Sequence, residues 1–197
     1  MVVFATGSVV IDAKLKGVLG IPFIAFAPFV GVAIGVYLFG RISMAHFNPA
    51  VTIGFLITKH IKIQLVCYLA SEIIGALLGS LFVKYIIGNE ANLGANAPNY
   101  AFPIPIIFGI EVLATALLMA VILTAVYTKG LRGFSGIVIG CIVGLDIFFL
   151  GIVSGASMNP ARSLAPVLIS GGGPAFTNLW LLLDCYFYWN FFDRINL

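Results

Sequence analysis

Two stretches decide the fold: Ser43-Met44-Ala45-His46-Phe47-Asn48-Pro49-Ala50-Val51-Thr52 and Ser154-Gly155-Ala156-Ser157-Met158-Asn159-Pro160-Ala161-Arg162-Ser163. They align without a gap, and the match reaches back to Gly40 and Gly151. Asn is a strong helix N-cap and Pro is favoured at the first helical position. Each Asn-Pro-Ala therefore predicts a helix start, at Pro49 and at Pro160. The first helix should end by Lys59-His60-Ile61-Lys62 and the second before Gly171-Gly172-Gly173-Pro174. About nine residues, rising about 1.5 Å each, reach only half-way through a hydrocarbon layer of about 30 Å. A lone Asn-Pro-Ala is an ordinary cap. Two at corresponding points of two halves mark an internally repeated membrane fold, with the transport site at the interrupted segments.

The surrounding sequence is of bilayer type. Of 197 residues, 61% are hydrophobic and 9% charged, where soluble domains carry about 25% charged. Mean hydropathy is +1.15. At about 20 apolar residues per span, the chain accommodates about six spans with short loops. Val18 to Phe39, Ile63 to Ile87, Pro105 to Tyr127 and Phe134 to Val153 read as full spans. Met1 to Ile11 is too short, and Leu179 to Phe192 forms a final apolar stretch. These runs are too long and too unalternating for barrel strands, and backbone polar groups in lipid must bond internally, so the spans are helices. Gly31/Gly35, Gly75/Gly79 and Gly136/Gly140/Gly144 allow close helix approach. The expected fold is an all-α membrane bundle of six helices, the outer two curtailed, plus two half-helices. It forms one domain over 1–197, with repeats of about 1–100 and 101–197 related by a pseudo-two-fold axis in the membrane plane.

The net charge of +3 is small and scattered, with no basic stripe for nucleic acid. Cys67, Cys141 and Cys185 lie far apart in apolar runs and read as buried free thiols. No metal set, nucleophile–base pair or cofactor motif is visible, which argues against an enzyme. Lys59, Lys62, Lys129 and Arg132, with Arg41, outweigh Lys14, Lys16 and Lys84 on the other side. That excess puts the Lys59 and Lys129 loops in the cytoplasm of a multi-pass cell-membrane protein.

Half-helices entering from opposite faces would meet near the midplane, each amino end carrying about half a positive charge. Asn48 and Asn159 would then donate hydrogen bonds to one passing molecule. A water oxygen held by both has its hydrogens turned outward, and the positive field adds to the barrier against protons.

The two stretches resemble the signature loops of the aquaporin family. Gly7-Ser8-Val9, Gly75-Ala76 and Glu111-x-x-x-Thr115 are similar to further family landmarks. The resemblance covers roughly residues 1 to 178. It implies a passive water channel excluding protons and ions, assembled as a homotetramer in the lipid bilayer with one pore per subunit. Asn48, Pro49, Ala50, Asn159, Pro160 and Ala161 would form the pore motifs. Arg162, Ile147, Ala156 and either Pro28 or Phe29 would form the selectivity filter. Carbonyls of Met44, Ala45, His46, Gly155, Ala156 and Ser157 would make the acceptor ladder, and Glu111 would brace the second loop. Water-selective members usually carry His at the Ile147 place, and glycerol channels carry Gly there. The chain fits neither, and its apolar filter resembles that of archaeal aquaporins.

Three features limit these implications. The family's first span carries a Glu that braces the first loop and mirrors Glu111; by register it would precede Met1. The segment from Leu183 departs from the family's Gly-Pro pair and Gly/Ala-rich span. Truncation at both ends is expected, and without a complete first helix the first loop would lose its brace and part of the bundle wall. Glu72 and Asp146, acids within spans, read as structural pairing groups. Alternative functions are a facilitator of small neutral solutes (glycerol, ammonia, dissolved gases), a secondary transporter coupled through Glu111, Asp146 or Glu72, and an inactive truncated member.

Overall fold

The computed structural model describes residues 1–61, 65–131, 133–172, 175, 176, 178 and 179. The expected readings at Lys62, Arg132, Cys185 and the final apolar stretch beyond 179 lie outside the described residues. In order, the elements are α1 Val2–Lys14, α2 Gly20–Ser43, α3 Pro49–Ile57, α4 Leu65–Phe82, a π-helical turn Val83–Ile87, α5 Glu90–Gly94, α6 Ile104–Tyr127, a 3₁₀ turn Lys129–Leu131, α7 Ser135–Ser154 and α8 Pro160–Ser170. No strand occurs among the described residues. Among the described residues, four helices are long and apolar enough to cross a membrane: Gly20–Ser43, Leu65–Ile87, Ile104–Tyr127 and Ser135–Ser154.

Apolar side chains cover the outer faces as well as the core. Ile42, Val66, Tyr85, Phe149 and Ile152 are among the exposed ones. Helices apolar all round have no inner face written in their sequence, and this corrects one reading. Cys67 and Cys141 are free thiols as expected, but exposed rather than buried.

Close packing follows the glycines. α2 packs most extensively against α7. A Cβ at Gly140 would lie 2.5 Å from the Phe29 carbonyl oxygen, and one at Gly136 2.8 Å from that of Ala33. Lipid offers no hydrophobic drive between spans, so such backbone approach supplies the packing attraction. Gly75, by contrast, has nothing within 4 Å.

The loops are more structured than their sequence implies. α1 runs through the polar Asp12–Lys14 stretch. The Asp12 carboxylate accepts from the Leu19 and Gly20 amides at 3.0 and 2.8 Å, capping the amino end of α2. In α5, Ala91, Asn92 and Leu93 are left-handed, and a Cβ at Gly94 (φ +62°) would meet the Thr6 carbonyl oxygen at 2.5 Å.

One stripe of α4 positions both half-helices. Residues four apart share a helix face. Tyr68 donates to the Ser43 carbonyl at 3.0 Å. Glu72 binds the start of α3. Ala76 packs with Ala161 and Ala165 of α8, and just past α4 Lys84 donates to the Ile169 carbonyl at 2.8 Å. The chain leaves α3 toward the start of α4, while α8 ends beside the turn that follows α4. The carboxyl ends of the half-helices are thus at opposite ends of a membrane-length helix.

Candidate pore junction

The amino ends of α3 and α8 meet. Asn48 caps α3, its side-chain oxygen accepting from the Ala50 amide at 2.9 Å. Asn159 caps α8, accepting from the Ala161 and Arg162 amides at 3.0 and 3.3 Å. Their NH₂ groups then cross. Asn48 Nδ2 donates to the Met158 carbonyl at 2.7 Å, and Asn159 Nδ2 donates to the Phe47 carbonyl at 2.9 Å. Each Asn thus grips the residue preceding the other. Every such amide has two protons, so one on each remains beyond the crossed pair. That of Asn159 faces the Met1 sulfur at 3.2 Å, a weak acceptor.

The approach loops share one backbone shape. Met44 and Gly155 end α2 and α7 in the left-handed region, their amides bonding back to the Gly40 and Gly151 carbonyls. Ala45 and Ala156 are left-handed too, as are Phe47 and Met158. For a non-glycine residue this costs about 1–2 kcal/mol, so other contacts must hold the loops. Glu111, fully buried on α6, accepts the Ser157 and Met158 amides at 2.9 and 3.2 Å. Glu72 accepts the Asn48 amide at 3.2 Å and the Thr52 hydroxyl at 2.7 Å. The first loop therefore has a carboxylate contact, from α4 rather than from the first helix.

Side chains two before and four after each Asn also pair. His46 Nδ1 and Thr52 Oγ1 are 2.8 Å apart, and Ser163 donates to Ser157 at 2.7 Å. The His46 ring stacks between Phe55 and Tyr68, with centroids at 4.6 and 4.5 Å.

Of the expected filter residues, Arg162 is buried in the first turn of α8, as is Ala156 before it. Ile147 is half-buried on α7, against the core cluster that contains Ala156. Pro28 is buried within α2. Phe29 enters the α2–α7 seam, its ring 5.7 Å from that of Phe26, in an apolar crease of about 250 Å³ with Cys141 and Phe148. Asp146 is buried, and its Oδ2 has no hydrogen-bond partner among the described residues. A cavity of about 550 Å³ reaches the junction, its lining including Asn48, Val51 and Phe47 together with Tyr37, Arg41 and Gly133.

Glu72, read from sequence as a structural pairing group, pairs with the Asn48 amide and the Thr52 hydroxyl, partners the sequence did not name. An ionisable side chain inside a span is costly and signals a functional contact, and its place one turn from Tyr68 and Ala76 on one face was readable.

Spanning helices around two half-helices joined at their amino ends define a multi-pass membrane protein of channel architecture. Residues 1–186 match the major intrinsic protein family. The chain is 34% identical over 178 residues to aquaporin NIP1-1 of Zea mays, covering 89% of this chain and 61% of that protein. It is 39% identical over 168 residues to a probable aquaporin AqpM of Archaeoglobus fulgidus, covering 82% and 67%. Its fold is similar to the X-ray structure of the aquaglyceroporin from Plasmodium falciparum, with TM-score 0.82 and 20% identity over 96% of this chain and 86% of that one. The chain belongs to the major intrinsic protein family, a family of membrane channels. It spans about six-tenths of the length of the plant relatives it matches, among them aquaporin NIP3-1 of Arabidopsis thaliana at 58%.

Proposed function

We propose that the protein is a passive, bidirectional water channel of the cell membrane. The observation that carries this reading is the reciprocal bonding of Asn48 and Asn159 across the joined half-helix amino ends. Each Asn spends one amide proton on the opposite loop; the second of Asn48 is left for the solvent file, and that of Asn159 rests on the Met1 sulfur, a weak acceptor that a passing water would replace. Both oxygens are engaged in capping, so neither amide can turn its acceptor to the pore. A water at the junction therefore accepts from protein and points its hydrogens outward. Waters on either side must be oriented away from it, which breaks a proton-conducting chain, and the two amino-end dipoles oppose cations.

In this reading the left-handed loop residues aim the carbonyls of Met44, Ala45, His46, Gly155, Ala156 and Ser157 along the path as acceptors. Arg162 supplies fixed positive charge at a filter completed by Ile147, Ala156 and Pro28; Phe29, drawn into the α2–α7 seam, is the weaker candidate. A charged Arg at mid-membrane costs about 2.5–3.5 kcal/mol, consistent with a place facing a wet interior. Glu111 holds the second loop. The two halves act as repeats of one domain, the Lys59 and Lys129 loops face the cytoplasm, and the assembly is a homotetramer.

A second reading, facilitation of small neutral solutes such as glycerol or ammonia, draws on Ile147 and Ala156. Neither side chain offers a hydrogen-bond donor or acceptor, so discrimination at the filter would rest on Arg162 and on width. Stopped-flow shrinkage of proteoliposomes tests the main reading. Shrinkage several-fold faster than in empty vesicles is expected, and no gain at verified insertion overturns it. Reswelling in a glycerol gradient after shrinkage distinguishes the second.

A further inference from the structure

The first Asn-Pro-Ala segment is held by a single carboxylate oxygen. Glu72 Oε1 accepts the backbone amide of Asn48 and the hydroxyl of Thr52. Thr52 has one hydroxyl proton. With that proton on Glu72, Thr52 Oγ1 is the acceptor in its 2.8 Å contact with His46 Nδ1. His46 must then carry its proton on Nδ1. The ring is clamped between Phe55 and Tyr68, and its Nε2 is buried with no hydrogen-bond partner among the described residues, which suits a bare lone pair better than a stranded N–H. One oxygen thus orders the N-cap amide directly and, through Thr52, the residue two before the cap.

The second half divides this work differently. Glu111 reaches in from α6 to the Ser157 and Met158 amides. Its side-chain relay runs from Ser163 to Ser157 and ends on the Asn159 carbonyl. The two loops have matching backbones but unlike supports.

We propose that Glu72 is the positioning residue of the first Asn-Pro-Ala segment, doing from α4 what Glu111 does from α6, and that it fixes His46 in its Nδ1–H form through Thr52. The acceptor oxygen does this, not the charge. The consequence for transport rests on the channel reading above; the consequence for His46 does not.

The test uses the full chain in lipid nanodiscs and in proteoliposomes. Nitrogen NMR of ¹⁵N-histidine protein reads the tautomer, and His60→Asn removes the only other imidazole. The Nδ1–H form is expected in the otherwise unaltered chain and in Glu72→Gln, and its loss in Glu72→Leu. Thr52→Val, which cuts the relay but leaves the Asn48 contact, should also lose it; this keeps the test decisive should Glu72→Leu fail to insert. In vesicles, Glu72→Leu should cut water permeability several-fold and raise proton leak. Glu72→Gln should stay near the parent value. An Nε2–H imidazole in the parent chain, or equal damage from Gln and Leu, overturns the proposal. Absence of flux in the parent chain overturns the channel reading alone, and the imidazole signal still judges the positioning.

Discussion

Asn48 and Asn159 each do two jobs with one amide: the oxygen caps a half-helix and the nitrogen grips the opposite loop. Replacing either with Ala removes the cap, worth about 1 kcal/mol, and frees the partner loop. Asn48→Ala should therefore lower the unfolding temperature in detergent and reduce water permeability together; an unchanged melt with unchanged flux would contradict the shared role. Arg162 belongs to a different prediction. Val51 fills the matching place in the first half, so Arg162→Val tests the charge at tolerable size. Water flux should persist while proton and cation leak, followed with an internal pH dye under a clamped potential, rises above that of the parent. The start sites at Pro49 and Pro160 were legible because capping is local chemistry. The Glu72 contact was not, since it joins a helix to a loop distant in sequence, and nothing local in either stretch names the other.

Among elements, the half-helices came out at the expected lengths, Pro49–Ile57 and Pro160–Ser170, because an Asn-Pro start and a polar or glycine stop bound them. The spans shifted by only a few residues; α2 runs on through Arg41 to Ser43. Facing was the hard part. A span apolar on every side carries little moment, so Cys67 and Cys141 could not be assigned to core or lipid from their neighbours. The left-handed turn at Ala91–Leu93 had no glycine to announce it at those positions. Glycine spacing did announce the α2–α7 seam, though Gly75 shows that the same spacing can lie open. Gly140→Leu places a side chain where the Phe29 carbonyl already sits. It should lose monodisperse protein on size exclusion, whereas Gly75→Ala should behave as the parent; equal behaviour of both would remove the seam from the account.

For the molecule as a whole, the two matched motifs of the sequence meet in the crossed pair of amides at the joined amino ends. Sidedness follows from the ends of the half-helices. His60 bonds to Tyr127 beside the Lys59 and Lys129 loops, and Lys84 meets Ile169 at the other end of α4's span. In a chain with its cysteines changed to Ser, Lys59→Cys and Lys129→Cys should react with an impermeant maleimide only from inside the cell, and Asn99→Cys only from outside; the reverse pattern would invert the orientation. The most direct test of the central claim is the water and proton permeability of the same proteoliposomes, measured together. The account predicts osmotic shrinkage well above empty vesicles with proton leak no greater than theirs; fast proton equilibration alongside the water flux, or no water flux from inserted protein, would contradict it.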